Sequence, residues 1–157
     1  YNMTGLRISF ALGNRAIIRE FQKVRSQIDY GTCLLVQKAA VAALTGPQEA
    51  VREQCLEYER RNQALCGGLR SIGWNVPDSQ GTMFVWAPLP EGYRDSAEFT
   101  LELMEKTGMI VTPGSAFGDL GEGYVRMALV LPVPVIEEAV ERIRESGILG
   151  QGSQERK

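Results

Sequence analysis

Apolar residues alternate with polar or small ones at the start of the chain. Leu6, Ile8 and Phe10 face Arg7, Ser9 and Ala11, which predicts a strand with one buried face. Gly13-Asn14 breaks the alternation. Asn14 is placed to cap a helix over residues 15–26, whose apolar stripe is Ile17, Ile18, Phe21 and Val24. Asp29, Tyr30 and Gly31 read as a joint. Residues 34–44, LLVQKAAVAAL, are almost wholly apolar and predict a helix buried on most sides, stopped by Thr45-Gly46-Pro47. A long helix over 48–71 follows, with Val51, Cys55, Tyr58, Leu65, Leu69 and Ile72 toward a core. Arg52, Glu53, Glu57, Arg60 and Arg61 lie on its wet side.

Beyond Gly73 the pattern shortens. Strands are expected at 74–76, 83–87, 109–112 and 124–130, with a loop containing DSQGT between the first two and the loop PGSAFGDLGEG before the last. Asp95 or Ser96 can cap a helix running to Thr107, with Gly108 ending it, and an amphipathic helix over 135–146 turns Ile136, Ala139, Val140 and Ile143 inward. The tail GQGSQERK is expected to fray. Strands mixed with helices predict an α/β chain whose second half is an α+β layer, a small mixed or antiparallel sheet covered by helices on one face. The first half, one strand and then helices, reads as part of something larger.

Length and charge narrow the function. At 157 residues, with 44% hydrophobic and 23% charged residues, the chain has an ordinary globular composition. The net charge is −2 and basic residues are interspersed with acidic ones, which argues against a nucleic-acid surface. No stretch approaches the roughly 20 apolar residues that span a bilayer, so no membrane is expected and the cytoplasm is. Cys33, Cys55 and Cys66 share no metal spacing; on one helix Cys55 and Cys66 would stand about 16 Å apart. They are expected to be reduced, partly buried thiols. With no histidine, Ser/His and Cys/His pairs and the common zinc sites are excluded, and no metal site is expected.

Two arginines are candidates for chemistry. Arg126 lies in YVRMALV with Tyr124, Ala128 and Val130 on its own side. A guanidinium in so apolar a strand needs an anion, and its planar fork suits a carboxylate. A structural ion pair with a core Asp or Glu and a ligand site are both compatible with the pattern; the glycine-rich loop before it favours the ligand. Arg7, near Thr4 and Gly5, reads by itself as a solvated arginine at a strand end.

The strings YNMTGLRISFALGN, VQKAAVAAL, QGTMFVWAPLP, VTPGSAFGDLGEGYVRMAL and EEAVERI, in this order, resemble the C-terminal part of class I/II, fold type I, pyridoxal-phosphate-dependent aminotransferases. PEGYRDSAEFTLELMEKTGMIVTPG is most similar to the branch with aspartate, alanine and LL-diaminopimelate aminotransferases. The resemblance departs at Leu6, where many members have Trp, and at Ser9, where many have Gly. It implies that residues 1–47 end a large cofactor-binding domain, 48–72 connect, 73–149 form the small domain and 150–157 are tail.

The resemblance further implies that Arg7 holds the phosphate of pyridoxal 5′-phosphate, that Arg126 clamps the α-carboxylate of the substrate, and that Gly114 and Phe117 belong to the active-site lip. The substrates would be an amino acid and a 2-oxo acid, and the full-length protein a homodimer. The lysine that bonds to the cofactor would lie just upstream of Tyr1, so no catalytic residue is expected here and the chain alone is expected to be inactive. Lys23, Lys38, Lys106 and Lys157 read as solvated residues. Two alternatives share the pattern: the effector domain of a pyridoxal-phosphate-sensing transcription regulator, and another fold type I enzyme such as a carbon-sulfur lyase. Exposed apolar surface meant for a missing half would make the isolated chain self-associate.

Overall fold

A computed structural model describes residues 1–150; residues 151–157 of the expected tail lie outside the described residues. The chain divides into two compact units, Tyr1–Gln54 and Cys55–Lys157.

The first unit is helical. Asn14 caps α1 (Arg15–Arg25) as expected, its Oδ1 accepting the Ala16 N–H at 2.8 Å. Helix α2 (Leu34–Thr45) follows, and α3 (Glu49–Asn62) begins in this unit. Two expectations are corrected. The alternating segment at 6–10 forms no strand: a 3-10 turn occupies Thr4–Leu6, and Arg7 turns left-handed at φ 50°. Alternation prepares a face, but a strand also needs a neighbour for its N–H and C=O groups. Nor is α2 buried on most sides. Only Ala40 is buried, while Leu34, Leu35, Val41 and Leu44 are exposed.

The second unit holds the core. The helix expected over 48–71 is one helical run: α3, a π-helical turn at Gln63–Gly67, and α4 (Gly68–Ser71). Leu65, Cys66 and Leu69 are buried, and Tyr58 and Ile72 pack against the core, whereas Cys55 is exposed. Cys33 is exposed too, so of the three free thiols only Cys66 is buried, where desolvation chiefly, helped by the Asp78 charge, raises its pKa. Gly68 lies so close to α6 (Val133–Ser146) that a Cβ there would stand 3.0 Å from Val140.

Strands β1 (Phe84–Pro88), β2 (Thr112–Pro113) and β3 (Tyr124–Ala128) form an antiparallel sheet in the order β1-β3-β2, with Trp86 and Thr112 both opposite Arg126. Val85, Ala87, Val125 and Met127 turn to one face, where α5 (Ser96–Thr107) and α6 cover them with Phe99, Leu103, Ile136 and Ile143. Each such side chain withdrawn from water stabilises the fold by roughly 1.5–3 kcal/mol. The expected fold class, a small antiparallel sheet with helices on one face, is the observed one.

Residues 74–76 are not a strand. The Trp74 N–H bonds back to Leu69 O, the Val76 N–H bonds to Trp74 O, and Arg70 caps Val76 O at 2.7 Å, which leaves no ladder to build. The Trp74 and Val76 side chains still point inward, and Trp74 Nε1 donates to Pro88 O at 2.7 Å. The strand expected at 109–112 shrinks to Thr112–Pro113. Helix α5 keeps both of its expected ends: Asp95 Oδ1 accepts from Ala97 N and Glu98 N, and Gly108 closes the helix at φ 73°.

Candidate functional site

The pleat that buries Val125 and Met127 sends Tyr124, Arg126 and Ala128 to the sheet's other face, the one without helices. Antiparallel register brings Phe84 and Trp86 of β1 to that face beside them. The result is an aromatic surface with a single cation in its middle. The Phe84 ring centroid is 4.3 Å from Arg126 Cζ and that of Phe117 is 4.7 Å away. Trp86 stacks on Tyr124 at 5.5 Å and meets Phe117 edge-on at 5.5 Å. Cation–π contacts of this kind contribute about 0.5–2 kcal/mol each.

Among the described residues no carboxylate forms an ion pair with Arg126. The ion pairs seen among the described residues join other groups; Arg61, for one, binds Glu57 and the Leu129 carbonyl. Of the two readings the sequence left open, the structural ion pair has no partner among the described residues. Arg126 is half-buried.

Phe117 reaches Arg126 because the loop 114–121 folds tightly on itself, in 3-10 turns at Gly114–Phe117 and Asp119–Gly121. Gly114 and Gly121 meet backbone to backbone: a Cβ on Gly114 would stand 1.9 Å from Gly121 O, and one on Gly121 would stand 2.1 Å from Gly114 O. No side chain fits at either position.

The loop is fastened to the start of α5. The buried Ser96 hydroxyl donates to Ser115 Oγ at 3.1 Å and accepts the Ser115 N–H at 3.2 Å. Glu122 Oε1 accepts the N–H groups of Gly123 and Ser96, both at 2.8 Å. Those two backbone donors, Gly123 first and then Ser96, hold the Glu122 carboxyl below its ordinary pKa, as expected of an anion at a helix N-terminus.

Arg7 is exposed, and its guanidinium makes one long hydrogen bond, 3.4 Å to Thr4 O. Arg7 and Arg126 belong to different units. Lys23 and Lys106 pair with Glu20 and Glu102, Lys38 is exposed, and Lys157 lies outside the described residues. Sequence reasoning missed Phe84, Trp86, Ser96, Gly121 and Glu122. The first two had a signal, since pairing FVW antiparallel to YVRMA puts their rings on the arginine's face. Gly121 lay within the glycine-rich loop already noted, whereas Ser96 and Glu122 are joined across the fold and carried none. Among the described residues no group of three His, Cys, Asp or Glu could hold a metal, and no helix is long and apolar enough to cross a membrane.

A family profile for class I and II aminotransferases matches residues 1–143. The chain belongs to this family. Its members are the pyridoxal-phosphate-dependent fold type I proteins that the sequence resembled. Among similar curated proteins, the LL-diaminopimelate aminotransferase of Halothermothrix orenii is 41% identical over 94% of this chain and 38% of its own length. That of Moorella thermoacetica is 42% identical over 96% of this chain and 38% of its own length. Among solved structures, an aminotransferase from Staphylococcus aureus superposes with a TM-score of 0.79 at 32% identity, covering 95% of this chain and 39% of that one. A probable N-succinyldiaminopimelate aminotransferase from Thermus thermophilus gives 0.76 at 37% identity, covering 93% and 39%. The chain thus spans less than two-fifths of the length of the relatives it matches.

Proposed function

We propose that this chain is the C-terminal part of an aminotransferase that exchanges an amino group between an amino acid and a 2-oxo acid. The observation that carries the reading is Arg126, a cation on an open aromatic face with no carboxylate partner among the described residues. Its donors suit the α-carboxylate common to both substrates, bound through two parallel N–H bonds. The relatives' names make LL-diaminopimelate the first amino donor to test.

Pyridoxal phosphate, when bound, supplies the electron sink that such an exchange requires. Of this chain's residues, Arg7 fits the cofactor's phosphate: it is exposed and without a carboxylate partner among the described residues. Its left-handed backbone is the kind of local strain that persists where a ligand site needs it. The Arg126 fork would orient the substrate, and the Trp86 and Tyr124 rings would keep water from that face of the sheet. In this assignment residues 1–47 close the large domain, 48–72 connect, 73–149 are the small domain, and the full-length protein is a homodimer.

The test compares this chain with the full-length protein, each mixed with pyridoxal phosphate, by absorbance before and after borohydride. The expected outcome is a reducible cofactor band, shifted by an amino acid, in the full-length protein alone. A specific, reducible adduct on the short chain would contradict the assignment, because one of its own lysines would then be reactive. A full-length protein that binds the cofactor but is unchanged by any amino acid would point instead to a sensing domain.

A further inference from the structure

Among the described residues Arg126 is held by rings and by no anion, and the two rings come from separate elements. Phe84 is carried by β1, and Phe117 by the loop that the Gly114–Gly121 contact closes. A long side chain with no ion partner samples many rotamers, and a ligand that must first order it binds more weakly. A carboxylate neighbour would fix the guanidinium but would also neutralise it and occupy its N–H donors. An aromatic face attracts the cation while accepting none of the in-plane N–H bonds. The rings around Arg126 can therefore hold it without consuming it. They are themselves held, since Phe117 meets Trp86 edge-on and Trp86 lies stacked on Tyr124.

We propose that Phe84 and Phe117 are positioning residues for Arg126, fixing its guanidinium so that the fork is already aimed when a carboxylate arrives. The inference rests on the reading of Arg126 as the carboxylate site. Neither phenylalanine need touch the substrate carboxylate, because both act through the arginine. Their effect belongs to substrates that bear a carboxylate, and to no others.

The experiment uses the full-length protein with its cofactor, as wild type and as Phe84→Leu, Phe117→Leu, Phe84→Tyr, Phe117→Tyr and Arg126→Leu. Cofactor absorbance is followed during titration with an amino acid and, separately, with the primary amine that lacks only its carboxylate. Each leucine variant is expected to raise the apparent dissociation constant and KM for the amino acid about 3- to 10-fold, with kcat at saturation changed less than about 2-fold. The amine titration is expected to stay unchanged and the tyrosine variants to recover the amino-acid affinity, since both keep a ring over Cζ.

Leucine variants with wild-type affinity for the amino acid overturn the inference. So does a loss of equal size for amino acid and amine, which would mark a structural effect. If Arg126→Leu binds the amino acid as wild type does, the carboxylate reading fails and takes the inference with it. If Arg126→Leu is impaired and the phenylalanine variants are not, only the inference fails. Should Phe84→Leu not fold, Phe117→Leu carries the test, because Phe117 is half exposed on the loop.

Discussion

At Gly114 a single methyl group has no room, because the Gly121 carbonyl would stand 1.9 Å from it. Gly114→Ala and Gly121→Ala are each expected to open the loop and destabilise the unit by about 1–3 kcal/mol. Calorimetry would register the lower melting temperature, and tryptophan emission would change as Phe117 leaves Trp86. Both variants melting and emitting as wild type would mean that the loop does not depend on this contact. Ser96→Ala removes the buried hydroxyl that accepts the Ser115 N–H, a loss of about 0.5–1.5 kcal/mol measurable by urea denaturation. At this scale the sequence was informative where a residue contradicted its surroundings. Arg126 stood out as a charge in an apolar strand. Ser96 and Glu122 did not, because a serine and a glutamate near turns are unremarkable until the fold brings 96, 115 and 122 together.

Among the elements, helices were legible and strands less so. Asn14, Asp95 and Gly108 announce helix ends through bonds within a few residues, and all three serve as caps here. A strand depends on a partner elsewhere in the chain, and the segments at 6–10 and 74–76 had the alternation without the partner. The tie between the glycine loop and α5 responds to acid. Because the folded Glu122 pKa lies below its ordinary value of 4.5, its contribution is present above that value and is lost as the pH falls through the lower folded one. Melting temperatures of wild type and Glu122→Gln should therefore run parallel above about pH 5 and converge in more acidic solution. Parallel curves throughout would show that the carboxylate does not strengthen the tie.

For the whole molecule, the two units differ in what they keep from water. The second buries Trp74, Phe99, Leu103 and Leu129 around a common core, whereas in the first Ile17, Phe21, Val24, Leu34 and Leu35 remain exposed. Side chains of this size left in water forgo roughly 1.5–3 kcal/mol each. Such surface seeks a cover, so the isolated chain should self-associate, with light-scattering mass rising with concentration and with Phe21→Ser lowering it. A constant monomer mass would contradict this. The pattern announced an amphipathic helix at 15–26 and an apolar one at 34–44 but not which residues stay in water, because periodicity identifies a face and not what covers it. Family membership, carried by strings spread along the chain, was legible at this scale even where single elements were misread.

The most direct measurement compares wild-type and Arg126→Leu full-length protein for their preference between an amino acid and the amine lacking its carboxylate, read from the cofactor spectrum. If Arg126 is the carboxylate site, the variant loses about 100-fold or more in affinity for the amino acid while the amine binds as before; an unchanged preference would contradict that account.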